Sequence, residues 1–221
     1  SNMTLMLHPE NWLALYQNSK NGMNLPLMDM STLARFLHFI LAGFAVTGLA
    51  LGCFGLGINK RDELFSSWLI KTGSAVYLII TLAQIFVGGW FLISLPKEIM
   101  MNFMGKDTLA TATFGLSMLF MVVSLAATGI AWSKGSRGSF ITGLTCALLT
   151  VLTMVVMRHQ LRLFHLQPYI NPDNLPTKTQ WDLLIVFIIS AVALIAYLIW
   201  LGKLVWGANN PPVKEAAIPG N

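Results

Sequence analysis

Five long apolar segments constrain the fold of this chain more than any other feature. Each contains at least 24 mainly apolar residues, and a helix needs about 20 to cross the hydrocarbon core of a bilayer. The segments are Leu33–Leu56, Trp68–Leu95, Thr108–Trp132, Ser139–Leu163 and Trp181–Trp206. They lack the alternating pattern of barrel strands, and only helices or closed barrels satisfy backbone hydrogen bonds in lipid. The sequence therefore predicts an all-α integral membrane protein, a helical bundle of five transmembrane helices.

The composition excludes several classes of function. Only 10% of the residues are charged, whereas about 25% are charged in a soluble domain. The formal charge of +5 includes no long basic run, so the lipid bilayer, and not nucleic acid, is the expected partner. Cys53 and Cys146 lie in apolar runs without metal-binding or haem-attachment spacing, and we interpret them as small apolar side chains. No carboxylate pair, Ser/His/Asp set or phosphate loop indicates hydrolytic chemistry.

The whole sequence divides into three parts. Residues 1–32 form a predicted extramembrane segment with a short surface helix around Pro9–Gln17, residues 33–206 form the bundle, and residues 207–221 form a predicted disordered tail. Gly48 and Gly52 are four residues apart in the first span. This small-xxx-small spacing predicts close packing against another helix.

Because successive spans cross the membrane in opposite directions, each loop falls on one of two sides, here called A and B. Side A receives the N-terminal segment and the loops 96–107 and 164–180; side B receives the loops 57–67 and 133–138 and the tail. Lysine and arginine divide seven against seven, so the positive-inside rule does not decide the orientation. The short loops of side B are dense in basic residues, and three bases of side A lie beside histidines. We therefore interpret side B as cytoplasmic.

Histidine and arginine cluster near side A. His38 lies about five residues inside the first span, and His159 lies near the exit of the fourth. This alternation of spans predicts similar depths for both, which would suit two axial ligands of a b-type haem. Arg35 shares a helix face with His38, and Arg158 and Arg162 share another. Because ionisable groups in the membrane are costly and guanidinium groups pair well with propionates, these five residues form the predicted cofactor site.

Plainer interpretations remain open for the same residues. The stretch "RHQLRLFH" has the composition of a helix end whose charged side chains extend to the lipid headgroups. His38 is flanked by apolar residues and could contact a quinone or a neighbouring helix instead of iron. His8 and His165 are predicted surface residues.

Three stretches carry a family resemblance: "SNMTLMLHPENWLALY", "LPLMDMSTLARFLHFILAGFAVTGLAL" and "MRHQLRLFHLQPY". They resemble a cytochrome-like family of multi-span membrane proteins from anaerobic bacteria. In that family the first stretch lies in the middle of a longer chain, which implies that this sequence corresponds to the C-terminal portion, or to a split version with a separate partner. The matching positions are Arg35 and His38 in "ARFLHF", and Arg158, His159 and Arg162 in "MRHQLR".

Together these observations predict a multi-pass subunit of the bacterial inner membrane that takes part in anaerobic respiratory electron transfer. It would bind haem b or menaquinone near the periplasmic face and exchange electrons with a periplasmic cytochrome c, as part of a quinone:cytochrome oxidoreductase. Its partners would be other membrane subunits or multihaem cytochrome subunits. The alternative is a non-catalytic membrane anchor or scaffold whose basic side-A cluster docks a partner or lipid. A small transporter finds little support, because no inverted repeat is visible.

Overall fold

The structure is a computed structural model that describes residues 9–18, 30–170 and 180–208. Within those ranges the chain forms seven α-helices and no strand. The helices are α1 (Trp12–Asn18), α2 (Met30–Ile58), α3 (Glu63–Ser94), α4 (Lys97–Met101), α5 (Thr108–Lys134), α6 (Arg137–Leu166) and α7 (Trp181–Ala208). A 3-10 turn, Pro9–Asn11, precedes α1, and a π-helical turn, Asn102–Lys106, follows α4. The predicted short helix near the N-terminus is confirmed.

Five of these helices are long and apolar enough to cross a membrane: α2, α3, α5, α6 and α7. The predicted all-α fold with five transmembrane helices is therefore confirmed, and the chain is a multi-pass membrane protein. Large apolar side chains are exposed along the outer surfaces of the spans, as expected where lipid is the solvent. The predicted disordered tail lies outside the described residues from position 209 onward.

The chain divides into two compact units, residues 1–173 and residues 174–221. The first unit contains the four spans α2, α3, α5 and α6. The described part of the second unit is α7, a single apolar helix. None of its described side chains is buried.

Two helices begin earlier than the apolar pattern predicts, because polar side chains cap them. Asp62 accepts a hydrogen bond from the backbone N–H of Phe65 and starts α3 at Glu63, five residues before Trp68. Ser136 caps α6 in the same way, after Gly135 turns the chain in the left-handed conformation with φ of 65°. Arg137 at the start of α6 pairs with Glu63 at 3.0 Å and ties the side-B ends of α6 and α3 together.

Glycines bring α2 and α3 into close contact. A Cβ atom at Gly48 would lie 2.8 Å from the carbonyl oxygen of Gly73, and one at Gly52 would overlap the ring of Phe140 on α6. Within the same contact, Ser66 donates a 2.8 Å hydrogen bond to the carbonyl of Gly55. The predicted packing role of Gly48 and Gly52 is therefore confirmed, and each glycine receives a different neighbour.

Hydroxyl groups join α3, α5 and α6 in the middle of the bundle. The Tyr77 hydroxyl lies 2.8 Å from Ser124 Oγ, and Ser124 donates to the carbonyl of Gly143 at 2.8 Å. An apolar cluster of Ile70, Ala131 and Phe140 lies toward side B of this network. A second cluster of Phe103, Ala110 and Leu161 lies at the side-A end, where the π-helical turn buries the Phe103 ring. The bundle interior therefore combines hydroxyl groups that join the helices at mid-depth with apolar clusters toward both ends.

Candidate functional site

His38 lies on the inward face of α2. Buried residues Ala34 and Ala45 fall on the same face, four residues before His38 and seven residues after it. The imidazole is half-buried, and its Nδ1 atom is shielded from solvent. In the part of the chain that the structure describes, no group lies within hydrogen-bond distance of this Nδ1. Buried polar atoms are normally hydrogen-bonded, so a ligand could satisfy this Nδ1; the predicted binding role of His38 stays a prediction.

Arg35 and Gln84 connect this part of α2 to α3. The guanidinium carbon of Arg35 lies 4.9 Å from the centre of the Phe91 ring, a cation–π contact at the side-A end of α3. Gln84 Nε2 donates a long, 3.4 Å hydrogen bond to the backbone carbonyl of His38. Arg35 and His38, three residues apart on α2, therefore both lie where α2 contacts α3. The structure adds Gln84 and Phe91, which the sequence did not single out for this site.

Arg158, His159 and Arg162 occupy a different environment. All three side chains are exposed on α6 near its side-A end. His159 follows the buried Gly143 by sixteen residues, which places it about 160° around the helix at 3.6 residues per turn. These residues therefore lie together on the outer surface of α6, and His159 points away from the interior of the bundle.

The helix register gives the positions of His38 and His159 along the bundle. Ala45 of α2 and Ala147 of α6 belong to one buried cluster with Tyr77. His38 is seven residues from Ala45, and His159 is twelve residues from Ala147. Counted from the helix ends, His38 is eight residues from the start of α2 and His159 is seven residues from the end of α6. The predicted similar depth of the two histidines stays a prediction.

His165 is buried, and its predicted surface position is wrong. It is 8% exposed, and its Nδ1 lies 2.8 Å from the carbonyl oxygen of Leu161. The continuation of α6 carries His165 onto the inward face, one turn after the buried Leu161. The sequence held a signal for this, because small residues mark interior faces of membrane helices and His165 lies only about 40° from Gly143. His8, the fourth histidine, lies outside the described residues.

The predicted bis-histidine haem finds no support in this arrangement. A haem clamped between α2 and α6 needs two imidazoles that project toward each other, whereas His159 is exposed on the outside of α6. A ligating histidine also normally donates its second ring N–H to a carbonyl or carboxylate, and His38 Nδ1 has no such partner among the described residues. The predicted haem b stays a prediction.

Comparison of the chain with family models, with curated proteins and with solved structures gives no match. The resemblance to a cytochrome-like family of anaerobic bacteria therefore stays a prediction from the quoted motifs. The described geometry that bears on function is that of His38, Arg35 and Gln84.

Proposed function

We propose that this protein is a membrane subunit of a bacterial respiratory electron-transfer system, and that it binds a quinone at the side-A end of α2 and α3. The quinone would be a menaquinone, and His38 would be its main polar contact. The observation that carries the proposal is the half-buried His38 imidazole, whose shielded Nδ1 has no partner among the described residues.

The surroundings of His38 suit a lipophilic ligand with a polar head. Phe36 and Phe39, close to His38 in the chain, are 61% and 70% exposed on the outside of the helix. They lie on other sides of α2 than His38, so they offer the quinone tail an apolar surface beside the polar contacts. A quinone that diffuses within the bilayer could reach that surface without crossing the headgroups. Ligand sites are commonly apolar walls with a few placed polar groups, and here the polar groups are His38, Arg35 and Gln84.

The residues present can perform the tasks that quinone chemistry requires. Conversion of a quinone to a quinol takes up two electrons and two protons. A neutral imidazole at His38 can donate a hydrogen bond to a quinone carbonyl, and it can accept a proton from a quinol hydroxyl. The Arg35 guanidinium, held against Phe91, carries a fixed positive charge that favours negative charge on the ligand oxygen during reduction.

Membership of a respiratory complex is part of the same proposal. Electrons would pass between the quinone and a periplasmic cytochrome c or a multihaem cytochrome subunit, since a quinone site alone does not complete an oxidoreductase. Side A would then face the periplasm, in agreement with the orientation favoured by the basic loops on side B.

The test compares two histidines near the same membrane surface. The full chain in lipid nanodiscs is titrated with a short-tailed menaquinone analogue, as wild type, His38→Leu and His159→Leu. We expect at least a tenfold loss of affinity in His38→Leu and wild-type affinity in His159→Leu, because only His38 faces the interior. Equal affinity in all three proteins would contradict the proposal. A Soret band with split reduced α-bands that is lost in both variants would instead support the haem.

A second candidate is favoured by the exposed bases of α6. Arg158, His159 and Arg162 share the outer surface of one helix end, where they could dock an acidic partner or anionic headgroups. Under this anchor function, the double replacement Arg158→Gln and Arg162→Gln would weaken co-purification of partner or lipid. His38→Leu would then leave every binding measurement unchanged.

A further inference from the structure

Two buried polar atoms on α5 and α6 have no hydrogen-bond partner within the described ranges of the chain. Ser117 is 1% exposed and Gln160 is 5% exposed. Neither Ser117 Oγ nor Gln160 Nε2 has a hydrogen-bond partner among the residues that the structure describes. Unpaired polar groups are costly in a membrane interior, and native structures satisfy them with protein or with ordered water.

The two atoms belong to one small region. Thr113 donates a 3.0 Å hydrogen bond to Gln160 Oε1, which fixes the Gln160 amide against α5. Ser117 follows Thr113 by four residues and therefore lies one turn away on the same side of α5. Exchanging Oε1 and Nε2 of the Gln160 amide would still leave one of the two atoms without a hydrogen-bond partner among the described residues.

The register of α3 adds a third polar group at this level. The Tyr77 hydroxyl and Ser124 Oγ are 2.8 Å apart and set the alignment of the antiparallel helices α3 and α5. Gln84 and Ser117 each lie seven residues from that pair toward side A. Seven residues differ from two full turns by only about 20°, so Gln84 and Ser117 lie about two turns beyond that pair, on the same helix faces as Tyr77 and Ser124.

Apolar clusters lie on both sides of these polar groups. Phe103, Ala110 and Leu161 pack toward side A, and Ile70, Ala131 and Phe140 pack toward side B. The side chains of both clusters are at most 9% exposed. Buried polar groups between two apolar clusters suit a small hydrogen-bonding ligand such as water.

We propose that α3, α5 and α6 hold bound water between these clusters, bridging Ser117, Gln160 and Gln84. Each bound water requires at least two hydrogen-bonding groups, and these three side chains supply them. Gln84 also belongs to the proposed quinone site through its bond to the carbonyl of His38, whereas Ser117 and Gln160 do not, so the test variants below change only those two residues.

Radiolytic labelling in H2(18)O tests the proposal, because internal water labels buried side chains that bulk solvent does not reach. Phe103 is 4% exposed and packs in the side-A cluster with Leu161, the neighbour of Gln160, and it is the reporter. In the wild-type full chain we expect rapid labelling of Phe103. We expect at least a threefold slower rate in the combined variant Ser117→Ala with Gln160→Leu. Absence of Phe103 labelling in wild type would overturn the proposal, and this result needs no variant.

The sign of a stability change gives a second test. If the Ser117 hydroxyl is dry and unpaired, its removal in Ser117→Ala stabilises the protein. If it binds water, the same change breaks a network, and we expect the unfolding equilibrium constant to rise about fivefold. Ser133→Ala is the matched control on α5, because the Ser133 hydroxyl is exposed and donates to the carbonyl of Ile130. A more stable Ser117→Ala protein would overturn the proposal.

Discussion

Replacement of Gly48 by alanine tests the packing that positions α2 against α3. The new Cβ would lie 2.8 Å from both the Gly73 carbonyl oxygen and the Tyr77 backbone nitrogen, where ordinary contacts begin at 3.4 Å. The helices must therefore separate locally by about 0.6 Å, a gap that forfeits a quarter to a half of the dispersion energy of each atom pair across it. Because Ser66 bonds to the Gly55 carbonyl in the same contact, that bond lengthens too. We expect a loss of about 1–3 kcal/mol in the free energy of unfolding.

Gly43→Ala is the matched control for Gly48→Ala. Gly43 lies on the same helix, and a Cβ atom there meets nothing within 4 Å. Both replacements change helix propensity equally, so the difference between them reports packing alone. Reversible unfolding in mixed micelles, followed by tryptophan fluorescence, measures both free energies. If the free energies of unfolding of the two variants differ by less than about 0.5 kcal/mol, the usual spread of neutral surface substitutions, close packing at Gly48 is refuted.

Three further predictions concern the interior network and the side-B end. Tyr77→Phe removes the 2.8 Å bond to Ser124 and should cost about 0.6–1.7 kcal/mol in the same unfolding assay; a more stable variant would show that the bond is strained. Phe140→Ala empties a fully buried position and should cost about 3–5 kcal/mol, whereas a cost under 1 kcal/mol would mean that the bundle closes around the gap. Arg137→Ala should cost under about 1 kcal/mol and lose its effect in high salt, because the pair with Glu63 is exposed; a double-mutant cycle with Glu63→Ala isolates the pair, and a salt-independent coupling would contradict this account.

The spans could be predicted from the sequence because the bilayer imposes a minimum apolar length on every crossing helix. The ends could not be predicted as well, since they depend on local side-chain caps. The Asp62 carboxylate accepts from the Phe65 N–H and starts α3 among polar residues that an apolar pattern assigns to a loop. At the other end of the bundle, α6 runs through "RLFHL" to Leu166, because its side-A end packs against the cluster around Phe103.

The inward faces of the spans were harder to predict, because each helix is apolar on every side. Glycines identify the packed face of a helix, and Gly48 and Gly52 predicted this face correctly for α2. For α6 the same reasoning from Gly143 would have turned His165 inward and His159 outward. The prediction instead chose His159 because histidine and arginine occur together at that end of α6. Gln160 was missed because its role depends on Thr113, a residue of another helix.

The central claim, that His38 lines a quinone site, is tested most directly by photolabelling. The full chain in nanodiscs is irradiated with an azido-quinone, digested and mapped by mass spectrometry. We predict labelling of α2 around His38 and of α3 between Gln84 and Phe91, abolished by excess menaquinone and by His38→Leu. Labelling confined to the outer surface of α6 around His159, or labelling that menaquinone does not compete, would contradict the claim.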